Sequence, residues 1–255
     1  MTRLEDKVAL ITGGGSGIGS ETAFLMASEG AKIAVADIDA DSAHKTVERI
    51  RSNGGTAIAV VGDVTKAADC EAFVEATLRQ YGSFSVLHNN AGVLERSALM
   101  DMSEELWDRL ITVNLKSVFL MTRAAVPALA RCGKQASIIN VGSVLGLLGT
   151  GGNAAYTSAK GGVISLTRKL ALELAPMNIR VNCYCPSTVD TAMAAGTIFK
   201  GDADGRLRRE HAEVFPLRRF GSPRDIANLA VFLASDESSW MTGSVVVIDG
   251  GLCVQ

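Results

Sequence analysis

The chain has 255 residues, 47% of them hydrophobic but only 5% aromatic, with a net charge of −2; this suits one α/β domain around an aliphatic sheet buried on both faces. A near-neutral chain without runs of like charge argues against nucleic acid or an anionic membrane surface, and no stretch reaches the ~20 apolar residues of a membrane span. Five cysteines at irregular spacing, and a start (MTRLEDK) unlike a secretory signal, predict a reducing, cytoplasmic setting without a disulfide framework.

In chain order, Val8–Ile11 is a short apolar run that reads as a buried strand. Thr12-Gly13-x-x-x-Gly17-x-Gly19 follows, and Ile18–Ser28 takes helical spacing. The common GxGxxG pattern does not fit, because the sixth position from Gly13 is Ile18. A strand, a glycine turn and a helix start together form an anion site, where free N–H groups and the positive end of the helix dipole face one point. Gly13, Gly15, Ser16, Gly17, Ile18 and Gly19 are therefore candidate cofactor contacts. Lys32–Asp37 is a second strand ending in an acid. A carboxylate there accepts from adenosine ribose hydroxyls and repels a 2′-phosphate. Residues 38–41 supply no cation to receive that phosphate, so NAD is expected over NADP.

Ala40–Ser52 is helical, Thr56–Gly62 a third strand, Lys66–Tyr81 a helix, and Ser85–His88 a fourth strand running into Asn89-Asn90-Ala91-Gly92. Ser103–Arg131 predicts two helices with a break near Trp107. Ala136–Val141 is a fifth strand, Ala154–Ala175 a helix and Arg180–Cys185 a sixth strand, with an irregular segment through Phe220. Ser222-Pro223-Arg224-Asp225 has the residues of a helix start, and Val245–Asp249 is a seventh strand. This alternation predicts a doubly wound, Rossmann-type sheet of seven mainly parallel strands with helices on both faces. No linker or repeat interrupts it, so residues 1–255 are expected to be one domain, with a substrate lid at about 190–220.

Tyr156 and Lys160 are four residues apart and share a helical face. A free phenol titrates near 10, too high for efficient proton exchange at neutral pH, and a neighbouring ammonium lowers that value. Ser143, just after the fifth strand, is placed to hydrogen-bond a substrate oxygen, and Asn114 to link Lys160 to solvent through backbone or water.

The glycine pattern, Asp63, Asn89-Asn90-Ala91-Gly92, Asn114, Ser143, Tyr156, Lys160 and Asp249-Gly250-Gly251 together resemble the short-chain dehydrogenase/reductases, in order and spacing, from Lys7 to Gly251. The resemblance implies Tyr156 as general acid/base, Lys160 as partner of the nicotinamide ribose, Ser143 as orienter of the reacting oxygen and Asn114 as support for the proton relay. It also implies adenine contacts at Asp63 and Val64, central contacts from Asn89 through Asn90 and Ala91 to Gly92, and nicotinamide-side contacts at Pro186, Val189 and Thr191. A homotetramer or dimer without a metal is expected on the same grounds. One departure is visible: Ser187 stands where the family commonly has glycine, so the loop beside the nicotinamide is expected to differ in shape.

His44, His88 and His211 lack metal-ligand spacing and read as structural or solvated; Cys183 and Cys185 read as small buried hydrophobes on one strand face. The function implied is hydride transfer between a nicotinamide and a secondary alcohol or ketone, with a small hydroxy or oxo acid, a sugar acid or a 3-oxoacyl compound as candidate substrates. A non-catalytic dinucleotide sensor would not need both Tyr156 and Lys160, and a sugar-nucleotide epimerase resembles a longer chain with other glycine spacing. The pocket is expected to use Glu95–Leu99, Val144–Asn153 and Ala192–Phe220. Within the last, Arg206, Arg208, Arg209 and Arg218 are candidates to clamp a substrate carboxylate.

Overall fold

The apolar run near the start of the chain becomes the centre of a sheet. In the computed structural model, which describes residues 2–149 and 151–255, β1 (Val8–Thr12) is buried along its whole length. Ala9 and Ile11 pack into one core cluster and Leu10 into another, as the two-residue period of an extended chain requires. β2 (Lys32–Asp37) and β3 (Thr56–Val61) lie to one side of it. β4 (Val86–Asn89), β5 (Ala136–Val141), β6 (Ile179–Pro186) and β7 (Val245–Ile248) lie to the other. The order is β3-β2-β1-β4-β5-β6-β7. Every pairing between these strands is parallel, so the mainly parallel sheet read from the sequence is parallel throughout.

The helices are α1 (Gly17–Ser28), α2 (Ala40–Ser52), α3 (Ala67–Tyr81), α4 (Glu104–Ile111), α5 (Ser117–Leu129), α6 (Ala154–Leu174), α7 (Ala192–Thr197), α8 (Arg206–Ala212) and α9 (Pro223–Ala234). Apolar residues of α1, α2 and α9 cover one face of the sheet; those of α3, α5 and α6 cover the other. The α9 start forms as read: the Ser222 hydroxyl accepts from the Asp225 N–H, and the Asp225 carboxylate accepts from the Ser222 N–H. Such a cap is worth about 1 kcal/mol.

Two segments differ from the sequence reading. The expected break near Trp107 is absent, since α4 starts after Ser103, whose side chain accepts from the Leu106 N–H, and runs through that position. The irregularity comes later, as a π-helical turn at Thr112–Lys116. An extra residue in one turn leaves little trace in apolar periodicity. The segment before Phe220 contains α7 and α8 rather than being wholly irregular. Strand ends shift by one residue in places: β4 reaches Asn89, β6 extends from Ile179 to Pro186, and β3 and β7 stop at Val61 and Ile248.

Strand order reverses between β1 and β4. Loops leaving their carboxyl ends diverge to opposite faces and open a crevice there.

Candidate active site

The crevice is built on the glycine turn. Gly13 and Gly17 hold φ of +61° and +52°, a region that residues with a Cβ rarely adopt. Gly19 is needed for another reason: a Cβ there would lie 2.1 Å from the Gly13 carbonyl oxygen. The turn is braced from the end of β4. Asn90 Nδ2 donates to the carbonyls of Thr12 and Gly13, both at 3.0 Å, and the Thr12 hydroxyl accepts from the N–H groups of Asn90 and Ala91. The Gly15 N–H donates to Asp37 Oδ2 at 2.8 Å, tying the turn to the end of β2. Ser16 precedes α1 without a side-chain cap bond, and the first turn holds no acid. Its N–H groups thus face the crevice as donors for an anion.

A cleft of about 640 Å³ runs along these strand ends. Asp37, Asp63 and Val64 line its β2–β3 side; Gly13, Ser16, Gly17 and Ile18 line the turn; Asn90, Ala91 and Gly92 continue the wall. Asn114, Ser143, Tyr156 and Lys160 meet on the β5 side, and Pro186, Val189 and Thr191 border it after β6. Gly15 and Gly19 stand behind the turn, where they permit its close packing. Asn89 also falls outside the cleft. Its amide is buried, donating to Thr122 Oγ1 and Asn140 Oδ1, so a cofactor contact by its side chain is ruled out by the face of the strand it occupies.

The donor set fits an extended dinucleotide. Asp37 accepts from Gly15 and Asp39 N–H groups, and a carboxylate's lone pairs allow further hydroxyl donors. The row of N–H groups at α1 suits a pyrophosphate. The Asp63 carboxylate, held by the Thr65 N–H and hydroxyl, has its pKa pulled below the usual range by those bonds against the opposing effect of burial.

At the β5 end, Lys160 is buried and its Nζ donates to the Val141 carbonyl at 2.8 Å. Burial lowers its pKa to about 8. The ammonium lies 5.7 Å from the centre of the Tyr156 ring. Tyr156 does not show the depressed pKa expected from this neighbour. Burial raises it to about 12, against a lowering effect of the hydrogen bond with Ser143. Within the chain itself, desolvation of the phenolate outweighs the hydrogen bond with Ser143. Asn114 sits in the π-helical turn, wholly buried. Its Nδ2 donates to the carbonyls of Val93 and Leu110, and its Oδ1 accepts from the Val93 N–H. That side chain braces the loop after Gly92, so any link from Lys160 to solvent at this position would run through the Asn114 backbone or a water.

Ser187 has no left-handed φ, and its hydroxyl donates to the Asp249 carbonyl at 3.2 Å. A side chain fits there because the backbone does not demand glycine. Cys183 and Cys185 are buried, both facing Gly142, where a Cβ would come within 2.8 Å of either sulfur.

The remaining wall is mostly apolar, with Leu94, Val144, Leu145, Met193, Ile198 and Val214. The lid arginines expected to clamp a carboxylate do not line it. Arg206 pairs with Glu210, Arg208 with Asp190 and Arg218 with Glu213, while Arg209 donates to the Asp204 carbonyl. Short helices place these cations beside acids on their own segment. The groups that do line it are Arg96 and His211. His211, read as structural or solvated, carries no local signal of this position, because only the fold of the lid brings it to the cleft. His88 and His44 are, respectively, fully buried and outside the cleft.

The sequence model of the family described as "Enoyl-(Acyl carrier protein) reductase" matches residues 13–253. The chain is 41% identical over 252 residues to a 3-oxoacyl-[acyl-carrier-protein] reductase FabG of Thermotoga maritima, covering 99% of this chain and 100% of that one. It is 40% identical over 255 residues to the trans-4-hydroxycyclohexanecarboxylate dehydrogenase of Sinomonas cyclohexanicum, covering 98% and 93%. The crystal structure of levodione reductase superposes with a TM-score of 0.94 at 32% identity, covering 99% of this chain and 100% of that one.

Proposed function

Since the chain belongs to the short-chain dehydrogenase/reductase family, whose members oxidise CH–OH groups or reduce the corresponding carbonyls with nicotinamide cofactors, we propose that it is an NAD-dependent oxidoreductase of a secondary alcohol or its ketone. The observation that carries this reading is the meeting of Tyr156, Ser143 and Lys160 at one end of a cleft with Asp37 at the other. The nicotinamide dinucleotide supplies the hydride donor or acceptor. Asp37 and Asp63 would receive its adenosine, the α1 N-terminus its pyrophosphate, and Lys160 its second ribose.

In the reductive direction Ser143 and Tyr156 hold the substrate carbonyl oxygen by hydrogen bonds. As charge builds on that oxygen, the Tyr156 hydroxyl gives it a proton. A phenol pushed up to about 12 by burial stays protonated at neutral pH and suits donation. Lys160, fixed on the Val141 carbonyl, keeps a positive charge near the phenolate that forms. In the oxidative direction the same phenol must first lose its proton, so alkaline pH favours that reaction.

The candidate substrates are a small hydroxy or oxo acid, a sugar acid or a 3-oxoacyl compound, and the mostly apolar wall favours those with a hydrocarbon body over a polyhydroxylated sugar acid. The FabG and hydroxycyclohexanecarboxylate dehydrogenase relatives support an acyl or acid substrate. Residues 1–255 act as one dinucleotide-binding domain with residues 190–220 as its lid, in a cytoplasmic homotetramer or dimer. Among the described residues no helix is long and apolar enough to cross a membrane.

The test is a change in NAD(H) absorbance across hydroxy acids, cyclic alcohols, polyols and hydroxyacyl thioesters and their ketones, with Tyr156→Phe as control. Turnover that Tyr156→Phe retains in full, or none with any class, overturns the reading.

A further inference from the structure

The cleft is asymmetric in charge. Its two lining acids are Asp37, the last residue of β2, and Asp63, just after β3. Toward α6 and the lid, the ionisable side chains that line it are Tyr156, Lys160, Arg96 and His211. Lys160 is already fixed on the Val141 carbonyl. Arg96 comes from the loop after β4 and His211 from α8, and the two are close enough to interact electrostatically.

The arginines nearby are committed to partners: Arg109 to Glu95, Arg208 to Asp190, Arg218 to Glu213, Arg219 to Asp225. Arg96 makes no hydrogen bond or ion pair among the described residues. A free guanidinium offers planar paired donors matched to a carboxylate. The His211 ring is held in place on its own side. Its Nε2 lies 3.2 Å from the Thr188 hydroxyl, and Phe199, Phe215 and Phe220 pack around it with ring centres 5.6–5.7 Å away. Its Nδ1 has no partner among the described residues. The same cleft is also lined by the apolar side chains of Leu94, Val144, Leu145 and Met193.

We propose that Arg96 and His211 form a subsite for a carboxylate on the substrate, so that the preferred substrates are oxo or hydroxy acids with an apolar body between the reacting carbon and the acid group. The subsite rests on the oxidoreductase reading for its role, but its ligand chemistry can be tested apart from turnover. Arg96 supplies charge and paired donors; His211 supplies one more hydrogen bond from a fixed ring. The attraction of the Arg96 guanidinium offsets the desolvation of a carboxylate there, whereas a neutral amide gains little from that charge.

The test uses 4-oxocyclohexanecarboxylate and its neutral carboxamide as ketones of equal size, with NADH. It also measures calorimetric binding of cyclohexanecarboxylate to the NADH-saturated protein. In the wild type, KM for the carboxylate is lower than for the carboxamide by at least about 10-fold, the range for hydrogen bonds to charged groups. Arg96→Ala abolishes that ratio and the calorimetric signal while leaving the melting temperature unchanged, since Arg96 is exposed. Arg96→Lys keeps part of both. His211→Phe, which retains the aromatic packing, reduces the ratio by a smaller factor.

Ketone turnover with no preference for the carboxylate, or a preference that Arg96→Ala leaves intact, overturns the subsite and leaves the oxidoreductase reading standing. Arg96-dependent binding of cyclohexanecarboxylate without turnover of any ketone overturns the oxidoreductase reading and leaves the subsite standing. Absence of Arg96-dependent binding overturns the subsite whatever turnover shows.

Discussion

The Lys160 ammonium donates to the Val141 carbonyl at the end of β5 at 2.8 Å. That bond pins the middle of the cleft to the sheet: α6 cannot rotate about its axis without breaking it, so Tyr156, one turn earlier, keeps its aim. Lys160→Met removes both the anchor and the charge. It is expected to cost activity and to move the oxidative rate profile to higher pH, because the phenolate loses its nearby cation. An unmoved profile would leave Lys160 with a purely positional role.

Tyr156→Phe removes the phenol proposed to move the proton. Turnover should fall ~10²–10⁴-fold, the range for general acid–base catalysis. NADH binding, followed by fluorescence, should persist.

On the proposed binding mode, a 2′-phosphate would meet the Asp37 carboxylate, a like-charge contact costing several kcal/mol. NAD(H) should exceed NADP(H) in kcat/KM by roughly 100-fold or more on that basis. Asp37→Ser should narrow the gap, and should also weaken NAD(H) use because the Gly15 N–H loses its acceptor. Equal use of both cofactors by the wild type would refute the assignment of Asp37.

Gly19→Ala forces a methyl group against the Gly13 carbonyl, at 2.1 Å from its oxygen. Backbone must move, at a cost of about 1–3 kcal/mol as in other overpacked sites. Expected results are a lower melting temperature and loss of NADH binding, although Gly19 itself does not line the cleft.

His88 is fully buried, with Nε2 2.8 Å from the Tyr184 hydroxyl, and burial pushes its pKa down to about 3. Below its ordinary value of about 6.5 the unfolded chain takes up a proton that the folded chain refuses. Stability is therefore lost as pH falls from about 6.5 toward 3, by up to about 1.4 kcal/mol per pH unit from this residue. Denaturant titrations across pH 4–7 should show a shallower acid limb for His88→Gln than for the wild type, whatever its stability at neutral pH.

Elements whose pattern is local were legible without coordinates. The strand run Val8–Ile11, the glycine turn, the Ser222 cap and the four-residue spacing of Tyr156 and Lys160 depend on neighbours within a few positions, and backbone geometry alone sets their periods. Tertiary structure decided what depends on meetings between distant segments. Whether Asn90 lies along the cleft or braces the turn depends on β4 lying beside β1. Asn114 turns inward because a π-helical turn, invisible to periodicity, rotates it toward Val93. Nothing in the charges of Lys200–Arg219 distinguishes a clamp from a surface helix; the ion pairs do, since Arg206, Arg208, Arg218 and Arg219 each find an acid in space. Arg96 and His211 are 115 positions apart in the chain. Only the folding of the lid over the end of β4 puts them on one cleft, because their proximity is set by packing of the whole sheet rather than by any sequence interval.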